Sequence, residues 1–184
     1  MLRHLAIATA IALGSVVVAG PAFAQGASSA QAANASTPQA VLQNVIEQLN
    51  SQIADQKAEL QNNHSKLVSL INQIFLPHFD TDWASILVLG MHAREASPDQ
   101  RSRFAKAFSS SLINRYAEGL LGYSKGSIKV LPFHGELNDK YTVVKTVATT
   151  DDKKQIAVNF VFHKTADGQW KAYDVIIEGI SYIT

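Results

Sequence analysis

The chain has 184 residues, 16 Lys and Arg against 15 Asp and Glu, 47% hydrophobic residues and no cysteine. Near-neutral charge with no basic cluster excludes the nucleic-acid-binding classes, and the missing cysteines exclude a disulfide framework and a lipidated N-terminal cysteine. A length of this order suits one domain that buries roughly 70% of its unfolded surface and needs no covalent staple.

Arg3 and His4 precede an apolar run over residues 5–19, followed by Pro21-Ala22-Phe23-Ala24, a small-x-small cleavage pattern. Residues 1–24 therefore read as a secretory signal peptide cut after Ala24, since the run is shorter than the ~20 apolar residues that span a bilayer. Residues 25–37 are Ala, Ser, Gln and Asn with no large apolar side chain, and read as a flexible leader. A single domain is expected over residues 38–184.

Its first helix opens with Thr37 as N-cap and Pro38 at the first helical position, and carries Val41, Leu42, Val45, Ile46, Leu49 and Ile53 on one stripe. Leu67, Val68, Leu70, Ile71, Ile74 and Phe75 predict a second helix that stops at Pro77. Asp80 or Asp82 caps a short third helix with Trp83, Ile86, Leu87 and Leu89, which Gly90 ends. Ser97-Pro98-Asp99-Gln100 is a capping box opening a long helix to about Leu121, on which Phe104, Phe108, Leu112, Tyr116 and Leu120 recur every fourth residue.

Beyond Gly122 the period changes to two, and strands are expected at 127–131, 140–149, 155–164 and 169–178, with a short tail over 179–184. Asp151-Asp152-Lys153-Lys154 forms a polar loop, and Asp167-Gly168 is read as a two-residue hairpin turn. Helices followed by an antiparallel meander indicate an α+β fold, with N-terminal helices packed on a strongly curved sheet. Apolar residues fall in sets of one parity: Ile156, Val158, Phe160 and Phe162; Tyr173, Val175 and Ile177; Tyr141, Val143 and Val147. A twisted sheet with such faces over a helix either closes fully or keeps a cavity.

Catalytic patterns fare poorly. Gly122-Tyr123-Ser124-Lys125-Gly126 matches G-x-S-x-G in letters, but the nucleophile elbow needs a strand turning into a helix, and here a helix leads into a strand. His64, His78, His92, His134 and His163 show no paired metal-ligand spacing, so no metal site is expected. Asp174 and Glu178 share a strand face and would be the carboxylates of a cavity enzyme, although a solvated or paired role is the ordinary one. Arg115 lies near the apolar stripe of the long helix, with pairing to Glu118 the ordinary role and a lipid headgroup contact the alternative.

Leu76-Pro77-His78-Phe79-Asp80, Leu87-Val88-Leu89-Gly90, Ser97-Pro98-Asp99-Gln100-Arg101 and the stretch from Trp170 to Ser181, which reads W-K-x-Y-D-V-x-x-E-G-I-S, resemble the MlaC-type (toluene-tolerance) family in order and spacing. The resemblance runs from about Val41 to Ser181. It implies a periplasmic carrier moving phospholipid between an outer-membrane lipoprotein complex and an inner-membrane ABC transporter with its MCE-domain subunit. It implies an α+β fold similar to the nuclear-transport-factor type, an apolar cavity for acyl chains, no enzyme activity and no cofactor. Combined with the parity argument, it nominates Phe104, Phe108, Leu112, Tyr116, Val143, Val158, Phe160, Tyr173, Val175 and Ile177 as pocket residues.

Such a cavity has a physical basis. Each exposed methylene costs ~0.8 kcal/mol, so two chains of some fifteen methylenes amount to on the order of 20 kcal/mol in water. A headgroup left in solvent needs no dedicated site, implying weak headgroup selectivity. The chain departs from the family pattern at Gly90-Met91-His92-Ala93-Arg94, which keeps only the final Arg of the Arg and aromatic commonly found there. It also stops at Thr184, where family members usually add a further strand and helix. Three alternatives stay open: a hopanoid-related lipid carrier of the same family, a cavity enzyme on the same fold, and a fully packed docking subunit without ligand.

Overall fold

Thr37 accepts a hydrogen bond from the amide of Ala40 and is followed by Pro38, and from this start α1 runs over Pro38–Asn62. A computed structural model describes residues 37–122, 127–150 and 152–183. The signal-peptide segment, the leader before Thr37 and positions 123–126 of the G-x-S-x-G pentapeptide lie outside the described residues. The apolar stripe of α1 extends past Ile53 to Leu60, across a non-helical residue at Gln56. Asn63 then closes one helix and opens the next, its amide bonding to Leu60 and its side chain accepting from Lys66.

Helix α2, His64–Phe75, gives way at Pro77 to a 3-10 turn over Leu76–His78. The chain immediately touches the sheet: Phe79 bridges Ala172, and the Asp80 amide donates to the Ala172 carbonyl at 2.7 Å. Asp80 also caps α3, Thr81–Leu89, by accepting from the Trp83 amide at 2.9 Å. Of α3 only Ala84 and Ser85 are buried, which leaves Trp83, Ile86, Leu87 and Val88 partly exposed. After a 3-10 turn at Gly90–Ala93, both halves of the capping box form and start α4, Pro98–Leu121.

The strands β1 Ile128–Val130, β2 Thr142–Thr149, β3 Gln155–Lys164, β4 Trp170–Ile177 and β5 Ile180–Ser181 pair in chain order as an antiparallel meander. The α+β class is as expected, and the tail contributes the fifth strand. In β3 and β4 the register shifts between Val161 and Phe162, a bulge of the kind that bends a strand and increases its twist.

Turn chemistry differs from expectation. Asp167-Gly168 is not a two-residue turn: the Thr165 amide donates to Gln169, the Gly168 amide donates to Thr165, and only Gly168 takes a positive φ, at 81°. This is a three-residue loop ending in a left-handed residue. The β2–β3 hairpin repeats it, with Thr150, Lys154 and Lys153 at φ 68° in the equivalent places. The two-residue turn with positive φ at both positions is Glu178-Gly179, which sets Ile177 opposite Ile180.

Buried side chains form two clusters. On the sheet side, Val144, Val161, Phe162, Trp170, Ala172 and Tyr173 pack with Leu42, Ile46, Phe79, Ala84 and Ile183. On the helix side, Ile53, Leu60, Leu67, Ile71, Ile113 and Ala117 pack together. Among the described residues, no helix is long and apolar enough to cross a membrane.

Candidate functional site

Between the two clusters lies a cavity of about 290 Å³. Its wall is built from α1 (Leu42, Val45, Ile46, Leu49), the end of α2 with the adjoining turn (Ile71, Phe75, Leu76, Phe79), and α4 (Ser109, Leu112, Ile113, Tyr116, Ala117, Gly119, Leu120). The sheet adds Ile128, Thr146, Ala148, Val158, Phe160, Val175 and Ile177, and the C-terminal segment adds Tyr182 and Ile183.

Six of the ten nominated pocket residues meet there: Leu112, Tyr116, Val158, Phe160, Val175 and Ile177. The structure places the other four elsewhere, for three separate reasons. A spacing of four residues overshoots the 3.6-residue turn by about 40° per step, so a strict every-fourth stripe drifts around the helix. Phe104 and Phe108 have drifted off the wall and stack on each other at 5.9 Å, while Ser109, Leu112, Ile113, Tyr116, Ala117 and Leu120 follow the true helical period.

Val143 falls on the other face of β2, because that strand turns Thr142, Val144, Thr146 and Ala148 inward. The threonines hide their hydroxyls by donating to the carbonyls of Asn138 and Val158, so a residue type read as polar behaves as apolar at these positions. Tyr173 is the extra residue of the bulge, lying between Ala172, which pairs with Phe162, and Asp174, which pairs with Val161. It therefore leaves the parity of Val175 and Ile177 and packs edge-on against His163 at 5.2 Å.

Chemically the wall is inert. No carboxylate, histidine, lysine or arginine is among its residues. The Ser109 hydroxyl donates to Ala105 at 2.9 Å and the Thr146 hydroxyl to Val158, so neither has its proton free to donate to a ligand. Asp174 is buried but not in the wall: it accepts from the Ser181 hydroxyl at 2.7 Å and from the Tyr182 amide at 3.2 Å. Glu178 accepts from the Ala157 amide at 2.7 Å. The long motif ending at Ser181 thus encodes the β4–β5 hairpin: Asp174 ties its two strands, Glu178-Gly179 turns it, and Trp170 packs beneath Lys164.

His163 and His64 are similarly engaged in structure. His163 bonds Asp80 at 2.9 Å and stacks on Trp83, joining α3 to the sheet. His64 reaches Asn114 at 3.2 Å and Glu118 at 3.3 Å. Glu118 is therefore paired with His64 and not with Arg115, whose guanidinium sits over the Tyr116 ring at 5.9 Å. No group of three His, Asp or Glu side chains suited to a metal occurs among the described residues.

Tyr116 lines the cavity and is 39% exposed, which marks the mouth, and its hydroxyl donates to that of Tyr182 at 2.9 Å. The hydrogen bond with Tyr182, and then the Arg115 cation, hold the Tyr116 hydroxyl below the usual tyrosine range, while the same bond raises that of Tyr182. Sequence reasoning missed Tyr182 and Ile183 because the tail carries no periodic pattern. It read the α1 residues as ordinary core, since nothing in a helical stripe distinguishes a wall facing a void from one facing another side chain.

The family model described as MlaC protein matches residues 43–184. The intermembrane phospholipid transport system binding protein MlaC of Haemophilus influenzae is 25% identical over 150 residues, spanning 80% of this chain and 70% of that protein. The toluene tolerance protein ttg2D of Pseudomonas putida is 28% identical over 148 residues, spanning 80% and 68%. Among solved structures, the phospholipid-binding protein of Ralstonia solanacearum, determined in complex with a phospholipid, superposes with a TM-score of 0.70 at 24% identity. The match covers 78% of this chain and 79% of that one, and establishes a shared fold.

Proposed function

This chain belongs to the MlaC protein family, and from that premise we propose that it is a periplasmic phospholipid carrier whose cavity shields acyl chains from water. The observation that carries the reading is the wall itself, apolar apart from the hydroxyls of Ser109 and Thr146, which donate to backbone carbonyls, and the paired hydroxyls of Tyr116 and Tyr182. Water entering such a space finds too few partners, so an apolar cavity of this kind stays dry and favours hydrocarbon. Relatives named for phospholipid transport and a fold neighbour solved with a phospholipid support the same assignment.

In this reading residues 1–24 direct export and are removed, residues 25–37 form a leader, and residues 38–184 carry the lipid. The cargo passes between an outer-membrane lipoprotein complex and an inner-membrane ABC transporter with an MCE-domain subunit, which maintains outer-membrane lipid asymmetry. The pocket comprises Leu112, Tyr116, Val158, Phe160, Val175 and Ile177 together with the α1 and α2 residues facing them. The cavity-enzyme alternative is disfavoured because Asp174, its intended base, is spent on the β4–β5 hairpin.

The test is purification of the exported protein without detergent, followed by extraction and mass spectrometry of bound lipid and by a vesicle-to-vesicle transfer assay with labelled phospholipid. Stoichiometric phospholipid and accelerated transfer are expected, both lost in Val175→Asp, provided that the variant keeps its circular dichroism spectrum. A ligand-free protein that does not accelerate transfer refutes the carrier and favours a docking subunit.

A further inference from the structure

The cavity accounts for acyl chains but not for the phosphate they carry, and the mouth holds features that the wall lacks. Arg115 makes no ion pair among the described residues, and the neighbouring Glu118 lies instead 3.3 Å from His64. Its guanidinium is instead held over the Tyr116 ring, one residue along α4, beside the hydroxyl pair that Tyr116 makes with Tyr182. The two rings meet edge to face at 5.2 Å, which fixes the hydroxyls relative to each other. When two tyrosine hydroxyls hydrogen-bond, the accepting one keeps its own O–H free to donate outward. Both tyrosines line the cavity and Tyr116 is also 39% exposed, so the pair stands where the cavity wall meets solvent.

The geometry points to Arg115 and the Tyr116–Tyr182 hydroxyl pair as a clasp for the phosphodiester of the bound lipid's headgroup. The assignment rests on the carrier reading and goes beyond it, giving the protein a preference for phosphate-bearing lipids over uncharged ones of equal chain length. A guanidinium suits this work because it stays charged and its planar fork matches phosphate oxygens, and a charge-assisted bond is about twice as strong as a neutral one. The one buried carboxylate among the described residues, Asp174, has both oxygens engaged by the Ser181 hydroxyl and the Tyr182 amide and does not pair with Arg115.

The test offers delipidated full-length mature protein vesicles holding equal amounts of phosphatidylglycerol and diacylglycerol with the same chains, then quantifies the lipid on the re-isolated protein. Wild type is expected to enrich phosphatidylglycerol about tenfold, the scale of one charge-assisted contact. Arg115→Gln should cut that enrichment about fivefold with total bound lipid unchanged, and Tyr182→Phe should cut it less, both contacts being partly screened by solvent. Excess inorganic phosphate should leave the enrichment intact; if it abolishes it, the cluster is a free-anion site and the clasp is wrong. Unchanged enrichment in Arg115→Gln also overturns the clasp while leaving the carrier standing, whereas uptake of neither lipid by wild type overturns both.

Discussion

Strands β3 and β4 make two different environments on either side of one bulge. At one end Phe162 opposite Ala172, with Trp170 nearby, is packed to a few per cent exposure. At the other, Val158 opposite Ile177 and Phe160 opposite Val175 are equally apolar but only half-buried, because they face the cavity. The same residue types thus pack a core where the helical layer closes on them and line a cavity where it does not. The bulge separates the two by taking Tyr173 out of parity.

The sharpest way to break this comparison is to fill the empty half. Val158→Trp is expected to lower lipid occupancy more than tenfold, equivalent to over about 1.4 kcal/mol, while moving the melting temperature by only a few degrees. Native mass spectrometry and thermal denaturation on the same samples check it. In the closed half, Phe162→Ala should cost about 3–5 kcal/mol and lower the melting temperature by roughly 2–4 °C per kcal/mol, whereas Val158→Ala should cost about 1 kcal/mol or less. Urea melts of the pair compare them directly.

A smaller effect is expected at the hairpin that carries the C-terminal wall. Asp174→Ala leaves the Ser181 hydroxyl and the Tyr182 amide without their acceptor, and about 1–3 kcal/mol of stability should be lost. Hydrogen exchange at the Tyr182 amide should rise with it.

The smallest effect belongs to pH. Burial, followed by the nearby Lys171 charge, lowers the pKa of His78 from its ordinary 6.5. The fold therefore prefers the neutral ring: this contribution is whole above pH 6.5 and is lost as pH falls through the depressed value. His78→Gln should flatten the decline in stability over that acidic window, measured as the dependence of the urea midpoint on pH.

Much of the helical layer was legible because its signals are local. Thr37, Asp80 and the Ser97–Gln100 box each state a helix start in three or four residues, and all three caps form. The strands were legible to within a few residues for the same reason. What remained hidden depended on pairing. The inward face of β2 was obscured because Thr142 and Thr146 satisfy their hydroxyls on backbone carbonyls, and the β4 shift at Tyr173 follows from a bulge that no single strand announces. The cavity was half legible: parity located Val158, Phe160, Val175 and Ile177, but the α1 stripe looks the same whether it meets a side chain or a void.

The contact to expect is of hydrocarbon with the cavity face of this sheet and not with the opposite face. It is tested most directly by methyl NMR of valine-labelled protein loaded with a phospholipid carrying a spin label within its acyl chain. The methyl signals of Val158 and Val175 should broaden most, and those of Val143 and Val161, which pair with each other on the opposite face of the sheet, distinctly less. Equal broadening of all four, or of none in protein shown to carry the lipid, would contradict the division and with it the assignment of this cavity to acyl chains.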